Sequence, residues 1–267
     1  MQCHLRPNDT LGGIQLALVE FTLDPLESIE PWGSPPDRML HWFGLTWGCY
    51  HLDLGLVRLL EYTPAAGPPH CVDYQVARIH EDLVSMLPSV LEPIPPAVML
   101  RFRDGSFERT YRHLRKHWTS QQDPDPSIDA VLYTLGERSL DTAYLNPGAG
   151  IWMWSYGTKI IIEWDNRGRL FDGKPAWTAV CGRHEIDRDQ FLNEMYAFDR
   201  RLMSEMDGRI HTIQADWCRP DVRIDVARLV ENHNERCRGL EVVLRRQHRP
   251  TDWLAVQKGL ELIGSSA

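Results

Sequence analysis

The chain lacks most of the features that assign a protein to a class directly from its sequence. No apolar run approaches the length of about 18 residues that suggests a membrane-spanning helix, so we expect no such helix. The N-terminus has no basic start followed by an apolar core, so we expect no secretory signal and a loose extension over residues 1–15. There is also no G-x-S-x-G and no glycine-rich phosphate loop, and we predict no cofactor.

Cysteines are few and widely separated, and no two of them form a C-x-x-C pair. A chain of 267 residues can build a core without covalent bridges. We therefore predict that the cysteines are reduced in a cytoplasmic protein and that most of them pack as small apolar groups. The six are Cys3, Cys49, Cys71, Cys181, Cys218 and Cys237.

Positive charge is scarce in the first part of the chain. The formal net charge of −8 arises within residues 1–100, and the remainder is balanced. Nucleic-acid binding needs clustered cations, so this distribution makes a nucleic-acid partner improbable. An acidic region suits a basic protein partner, because opposite potentials speed encounter, although acidity that serves only solubility is an open alternative.

Apolar periodicity predicts two groups of strands, each followed by a helix. The first helix is expected over Val72–Leu87. The second is expected to begin at a capping box formed by Asp187 and Gln190 and to reach about Met206. The predicted strands are 16–23, 40–46, 49–54, 57–62, 143–145, 151–155, 159–164 and 176–181. Further helices are predicted over 106–120, 127–138, 221–246 and 251–263. The buried stripe of the second helix is predicted to be Phe191, Met195, Phe198 and Leu202.

This order predicts an α+β fold with antiparallel sheets, helices packed on one side and a helical C-terminus. The two strand groups share a rhythm, so an internal duplication of a β-β-β-α unit is one interpretation. We predict a single compact domain over residues 16–267. An alternative arrangement has two lobes, 16–122 and 127–267, joined by the linker QQDPDP at 121–126.

Tryptophan is abundant, with ten residues, and each side chain can bury roughly 150–250 Å². Trp152 and Trp154 alternate onto one face of a predicted strand, opposite Ile151 and Met153. They form either a second packing layer or an exposed aromatic patch, and exposed aromatic patches mark interaction surfaces. Trp32, in a Pro-Trp-Gly-Ser-Pro loop, is a further candidate for exposure.

Some polar residues have the spacing of reactive sites. His51 and Asp53 share a strand face, so the carboxylate could orient the imidazole as a base, although a solvated strand face explains them equally. The i, i+4 pairs His113/His117 and His233/Cys237 have the spacing of metal ligands. The first pair lies among arginines and lysine, and the second fits core packing better, so we predict no metal site.

Several strings have the character of family motifs: LHWFGLT (Leu40–Thr46), IWMW (Ile151–Trp154) and WDNRGRLFDGKPAWTA (Trp164–Ala179). With them, and with the PWG loop, the chain resembles a family of uncharacterised bacterial proteins, a domain of unknown function. The resemblance runs from about Leu23 to Met206. It implies one coherent fold and carries no activity and no catalytic residues.

The leading hypothesis is a protein-binding module, in its most specific form an immunity-type protein that neutralises a toxin by occlusion. The candidate contact residues are Trp32, Trp42, Trp152, Trp154, Asp53, Glu27 and Glu30. The rival hypothesis is an enzyme with a dispersed polar site, for example a hydrolase. Its candidate residues are His51, Asp53, Asp165, Asn166 and Arg167. RNA binding is a third and weaker possibility.

Overall fold

The structure is a computed structural model that describes residues 17–64, 70–100, 114, 125–246 and 249–265. The predicted extension at 1–15, the helix at 106–120 except for residue 114, and most of the linker at 121–126 lie outside these residues. Within them the architecture is α+β, as predicted, with two main antiparallel sheets and a helical C-terminus.

The first sheet is built around a central strand that is paired on both edges. Its strands are β1 (Val19–Leu23), β2 (Trp47–Asp53), β3 (Arg58–Leu59) and β4 (Val72–Gln75). β1 pairs with one edge of β2. β3 and β4 pair with successive parts of the other edge, and all three pairings are antiparallel. Gly48 lets β1 approach closely, because a Cβ there would lie 2.1 Å from the carbonyl oxygen of Thr22.

The second sheet has the order β5-β6-β9 and is also antiparallel. Its strands are β5 (Ile151–Tyr156), β6 (Lys159–Asp165) and β9 (Cys181–Asp187). Between β6 and β9, a small hairpin is formed by β7 (Leu170–Phe171) and β8 (Lys174–Pro175). β6 is buried over nearly its whole length, whereas β9 is mostly half-buried, which is typical of an edge strand.

Each sheet passes into a long helix with no intervening loop residue. β4 ends at Gln75 and α1 (Val76–Leu91) begins at the next residue, and β9 ends at Asp187 where α4 (Arg188–Ala215) follows at once. In both units the second main strand is central and the third one runs into the helix. The two units therefore share a β-β-β-α topology. The strand predicted over 40–46 is absent, because Gly44–Thr46 form a 3-10 helix, and the first unit uses β1 in its place.

The remaining helices are short. They are α2 (Pro96–Met99), α3 (Pro126–Gly136), α5 (Val226–Arg236), α6 (Gly239–Arg245) and α7 (Trp253–Ser265). The single helix predicted over 221–246 is thus divided, since α5 ends at Arg236 and α6 begins at Gly239. The short helix after residue 126 is N-capped by Asp125, which accepts from the Ser127 amide at 2.9 Å, and not by Ser127 itself.

One main hydrophobic core joins both sheets. It contains the apolar side chains of β1, β2 and α1 together with one face of β5 and β6 and the predicted stripe of α4. Phe191, Met195, Phe198 and Leu202 all belong to it, which confirms that stripe. The core draws on residues from both sides of 121–126, so the described parts of the two supposed lobes share one interior.

A second core lies on the opposite face of the second sheet. Trp152, Trp154 and Ile161 point into it, and α3 and α7 cover them with residues such as Val131 and Val256. Helices therefore cover both faces of this sheet. The prediction that helices pack on one side is incomplete for the second sheet.

Cys49 on β2 and Cys71, just before β4, form a disulfide with a Cα–Cα distance of 5.7 Å. The prediction that all cysteines are reduced is wrong for this pair. The two residues lie diagonally on adjacent antiparallel strands, where Cα atoms come close enough for a bridge. Cys181, Cys218 and Cys237 are thiols. In the parts of the chain that the structure describes, no helix is both long and apolar enough to cross a membrane.

Candidate functional site

Trp32 and Met39 form an isolated antiparallel β-bridge, called the rung below. The Trp32 amide donates to the carbonyl of Met39 at 2.9 Å, and the Met39 amide donates back to Trp32 at 2.8 Å. Gly33 makes the turn possible, because it adopts φ +88° and a Cβ there would lie 2.7 Å from the Asp37 carbonyl oxygen. The indole is 41% exposed and the Met39 side chain 45%, so the rung displays two large apolar side chains to solvent.

The Trp32 loop, defined as residues 24–39, is anchored on the segment that precedes α5. Leu40 donates to the Arg223 carbonyl at 3.1 Å, and the Arg223 amide donates to Arg38 at 2.9 Å. The Arg219 guanidinium donates to the carbonyl of buried Ile29. The indole also meets the His41 ring edge-on, with centroids 4.0 Å apart. These contacts fix the position of the exposed ring on the surface.

Three carboxylates lie in the same loop as the rung. Glu27, Glu30 and Asp37 are exposed, and Glu30 and Asp37 have side chains that are 84% and 78% accessible. The arginines nearest to two of them lie near the outer limit of an ion pair: Arg38 is 3.8 Å from Glu30, and Arg223 is 3.8 Å from Asp37. Ion pairs this exposed exchange partners at little cost, so the carboxylates remain available to a cationic surface.

Three of the four tryptophans predicted as contact residues are interior. Trp42, Trp152 and Trp154 are exposed by 2% or less, so the exposed-patch interpretation is wrong for them. Trp152 and Trp154 instead form the packing layer that was the alternative, because α3 and α7 cover their face of the sheet. Asp53 is also buried and cannot supply surface charge, whereas Trp32, Glu27 and Glu30 are exposed as predicted.

Trp42 makes a buried polar contact with α5. Its Nε1 donates to Nδ1 of His233 at 3.3 Å, and the Arg236 guanidinium lies over its ring at 4.2 Å. The His233 Nε2 atom is 3.5 Å from the Cys237 Sγ atom and 3.9 Å from Asp207. Burial lowers the pKa of His233, and burial with Asp199 and Asp207 raises the pKa of the Cys237 thiol. The thiol is therefore not activated, although it lies beside an imidazole.

His51 and Asp53 do come together, but the carboxylate is committed to the backbone. Asp53 Oδ1 accepts from the Gly55 amide at 2.7 Å, and Oδ2 lies 3.4 Å from Arg58 Nε and 4.0 Å from His51 Nε2. Burial and then Arg58 lower the pKa of His51. The pair shapes the β2–β3 turn, and nothing in its geometry orients the imidazole towards a cavity.

The end of β6 is held to neighbouring backbone segments by three polar residues, Asp165, Asn166 and Arg167. Asn166 accepts from the Gly150 amide and donates to the Ala179 carbonyl, both at 2.8 Å. Asp165 accepts from the Arg167 backbone amide at 3.0 Å and from its Nε atom at 2.9 Å. This set is separate from His51 and Asp53, since no described contact links the two, so the predicted polar site does not assemble.

Two buried carboxyl groups were not predicted from the sequence. Burial raises the pKa of Glu163 to about 7, with Arg183 opposing and Asp165 adding to the shift. Burial likewise raises the pKa of Asp82 to about 7, opposed by Arg78. Perturbed pKa values concentrate at functional sites but also occur in structural networks. The alternation of β6 places Glu163 on the face of Ile161, which was the available signal for its burial.

A shallow groove of about 730 Å³ runs beside the second sheet. It is lined mainly by residues of the 139–150 segment, together with Trp152 and Arg169. Asp141 is ion-paired with Arg78, and Arg169 donates to the Gly148 carbonyl at 2.8 Å. None of the predicted polar residues lines the groove, so it lacks a converging set of reactive groups.

Comparison with known proteins identifies the chain at the level of a family. No curated protein and no solved structure matches it. The model of a family of unknown function, DUF5984, matches residues 18–259, a span that includes both sheets, the helices α1 to α6 and the first half of α7. The chain therefore belongs to that family of unknown function.

Proposed function

We propose that the protein is a protein-binding module that engages a basic partner through the Trp32 loop. The observation that carries the proposal is the rung of Trp32 and Met39, an exposed aromatic anchor held rigidly among exposed carboxylates. Among the tryptophans that the structure describes, Trp32 alone is more than a third exposed. Tryptophan leads the residue types that dominate binding energy at interfaces.

Charge defines the class of partner. Glu27, Glu30 and Asp37 are exposed in the same loop as Trp32, and the first hundred residues carry the whole net charge of the chain. A cationic protein surface complements this region, and complementary potentials raise association rates. A nucleic acid would be repelled by the same carboxylates.

The rival enzyme has less support. His51 and Asp53 belong to a turn, Asn166 joins three segments of backbone, and His233 receives the Trp42 indole N–H. Each polar group that was a candidate for chemistry is thus engaged in the framework. The immunity role is the most specific form of the proposal, in which the basic surface is the active-site cleft of a toxin.

The test measures partner capture with matched variants. Immobilised wild type, Trp32→Ala and Leu254→Ala are exposed to a lysate of the native host at physiological salt, and retained proteins are quantified by mass spectrometry. Leu254 is 82% exposed on α7 and serves as the apolar control. We expect a retained basic protein whose affinity falls by about 30-fold or more in Trp32→Ala only, since a hot-spot residue contributes about 2 kcal/mol or more.

A second arm tests the charge. Glu30→Gln with Asp37→Gln should lower the association rate for the same partner and flatten its salt dependence, with a smaller effect on dissociation. Equal capture by wild type and Trp32→Ala would refute the role of the loop. The immunity form is tested by co-expressing the chain with any toxin encoded beside its gene, where Trp32→Ala should lose protection.

A further inference from the structure

The outer edges of the two sheets differ in whether another part of the chain covers them. At the outer edge of β1, the guanidinium of Arg201 bonds the Val19 carbonyl, and the Glu194 carboxylate accepts from the Leu18 amide at 3.1 Å. The edge is therefore covered by α4. Such covering is the usual protection of a sheet edge against pairing with another chain.

The outer edge of β5 is covered by backbone. The Leu140 amide donates to Ile151 at 2.9 Å, and the Met153 amide donates to Arg138 at 2.9 Å. Further along the same edge, the Ile94 amide donates to Ser155 at 3.1 Å. A further strand therefore has no access to β5.

β9 differs from both. It pairs with β6 along one edge, and no described backbone or side-chain group bonds to the other edge from Gly182 to Asp187. Its residues are mostly half-buried, unlike those of β6. An edge strand of this length presents a row of backbone donors and acceptors to any strand that can align with it.

The sequence of β9 is complementary to itself. The strand runs Cys-Gly-Arg-His-Glu-Ile-Asp, and His184 is its central residue. If two copies pair antiparallel about a two-fold axis at His184, Arg183 of each copy lies directly opposite Glu185 of the other. Opposite charges at facing positions stabilise antiparallel pairs, and like charges destabilise them.

Both side chains are partly exposed, and Arg183 would have to turn from its place over the Trp154 ring, 5.9 Å from the centroid, to make this exchange. Within one chain Arg183 Nη2 lies 3.5 Å from Glu185 Oε1, and the side chains are 34% and 54% exposed. In the β6–β9 register Arg183 faces Glu163, so the second copy would extend a row of alternating charge: Glu163, Arg183, then Glu185 of the second copy. In the pairing of the two β9 strands, Gly182 of one copy lies opposite Ile186 of the other. Because glycine has no side chain, Ile186 meets no steric obstacle there.

We propose that the protein forms a two-fold homodimer by antiparallel pairing of β9 with β9 of a second copy. The two three-stranded sheets then join into one six-stranded sheet with both helical layers continued across it. The interface is self-complementary, as a two-fold dimer requires. It is separate from the Trp32 loop, so each copy keeps its proposed partner surface.

Analytical ultracentrifugation of the full chain over a wide concentration range tests the pairing. Wild type is expected to dimerise, and Arg183→Glu and Glu185→Arg are each expected to weaken dimerisation by at least tenfold, because each places like charges opposite one another. An equimolar mixture of the two variants restores both facing pairs, so it should dimerise again. Wild type that is monomeric throughout, single variants that dimerise like wild type, or a mixture that stays monomeric would each overturn the proposal.

A cross-linking variant gives a readout that does not depend on changing the charges. With Cys218 and Cys237 replaced by serine, His184→Cys should form an intermolecular disulfide under mild oxidation, since the two copies of this residue meet at the axis. Ser204→Cys, exposed on α4, is the control and should not cross-link at the same protein concentration. Equal cross-linking of both variants, or none in His184→Cys, would refute this register.

Discussion

The indole of Trp42 donates its N–H to Nδ1 of His233, 3.3 Å away in the interior of the protein. A neutral imidazole that accepts at Nδ1 carries its proton on Nε2, and Nε2 is the atom that lies 3.5 Å from Cys237. A general base would have to accept the thiol proton at that same atom. The contact therefore fixes the tautomer that cannot activate the cysteine.

Cys237 is accordingly predicted to react slowly. Cys237 and Cys218 are both exposed residues. Iodoacetamide at pH 7.5 should nevertheless alkylate Cys237 no faster than Cys218, because partial burial of the thiol and neighbouring carboxylates raise the pKa of Cys237. Trp42→Phe removes the indole donor, so the other tautomer becomes accessible and alkylation of Cys237 should become several-fold faster. Peptide mass spectrometry follows both sites in one sample. Alkylation of wild-type Cys237 tenfold faster than Cys218 would show an activated thiolate and revive the enzyme hypothesis.

Arg138 is predicted to be essential for stability. It is fully buried, donates to Glu92 at 2.9 Å and to the Thr134 carbonyl at 3.2 Å, and lies over the Trp253 ring. Glu92 also accepts from the Thr251 amide at 2.8 Å, so the pair ties α1 to the start of α7. Arg138→Met should lower the free energy of unfolding by about 3 kcal/mol, because it removes the buried cation that pairs with Glu92, although Glu92 keeps its bonds to Thr251.

Chemical denaturation with a surface pair as control checks this loss. Arg245 and Glu241 form an i, i+4 pair on α6 with side chains that are 80% and 61% exposed. Arg245→Met should change the free energy of unfolding by no more than about 0.5 kcal/mol. If the two variants cost the same, Arg138 does not hold the second core in place.

Glu163 is predicted to make the protein less stable as pH rises. Its pKa is about 7 in the folded state, above the ordinary value of 4.5. Between these values the folded state binds more protons than the unfolded state, so stability falls as pH increases from about 4.5 to 7. Glu163→Gln should match wild type near pH 4 and exceed it at pH 8 by on the order of 2 kcal/mol.

Urea titrations at pH 4, 6 and 8 measure the difference between variant and wild type at each pH. Asp82 titrates in the same range in both proteins, so its contribution cancels in the difference. Leu254→Ala, which removes no titratable group from an exposed position, should differ from wild type by the same amount at each pH. A Glu163→Gln variant that is less stable than wild type at pH 8 would show that the ionised carboxylate is the favoured form.

The Cys49–Cys71 bridge is predicted to stabilise the first sheet. It closes a loop with a sequence separation of 22 residues, for which the chain-entropy argument gives about 3 kcal/mol. Cys71→Ser should therefore lower Tm by roughly 5–10 °C, whereas Cys218→Ser should leave it unchanged. Alkylation of the denatured wild type before reduction should leave Cys49 and Cys71 unmodified. Full labelling of both at that stage would show that the native protein holds them as thiols.

Local patterns were sufficient for much of the fold. The alternation of β5 and β6 and the apolar stripe of α4 were readable because they depend on residues close in sequence. The start of α1 was misplaced, since Val72 and Val76 fit a helical spacing although Val72 pairs with Tyr50 on β2. The helix also continues past Pro88 to Leu91, where burial of Val90 outweighs the lost hydrogen bond.

The candidate site was harder to predict, because burial depends on residues far away in sequence. Trp152 is covered by helices that begin at Pro126 and Trp253, and no pattern near Trp152 announces them. Trp42 meets His233 across 191 positions. Trp32 was predictable, since proline and glycine around it mark an exposed turn.

β4 continues directly into α1, and β9 continues directly into α4. The orientation of each strand therefore fixes the orientation of its helix, whereas a connecting loop would let the two vary independently. One added residue at either junction would turn the helix by about 100° relative to its sheet, because an α-helix has about 3.6 residues per turn. The same residue placed inside the strand would exchange its two faces. Insertions at these junctions should therefore be among the least tolerated in the chain, and sequence length there should be as constrained as sequence identity.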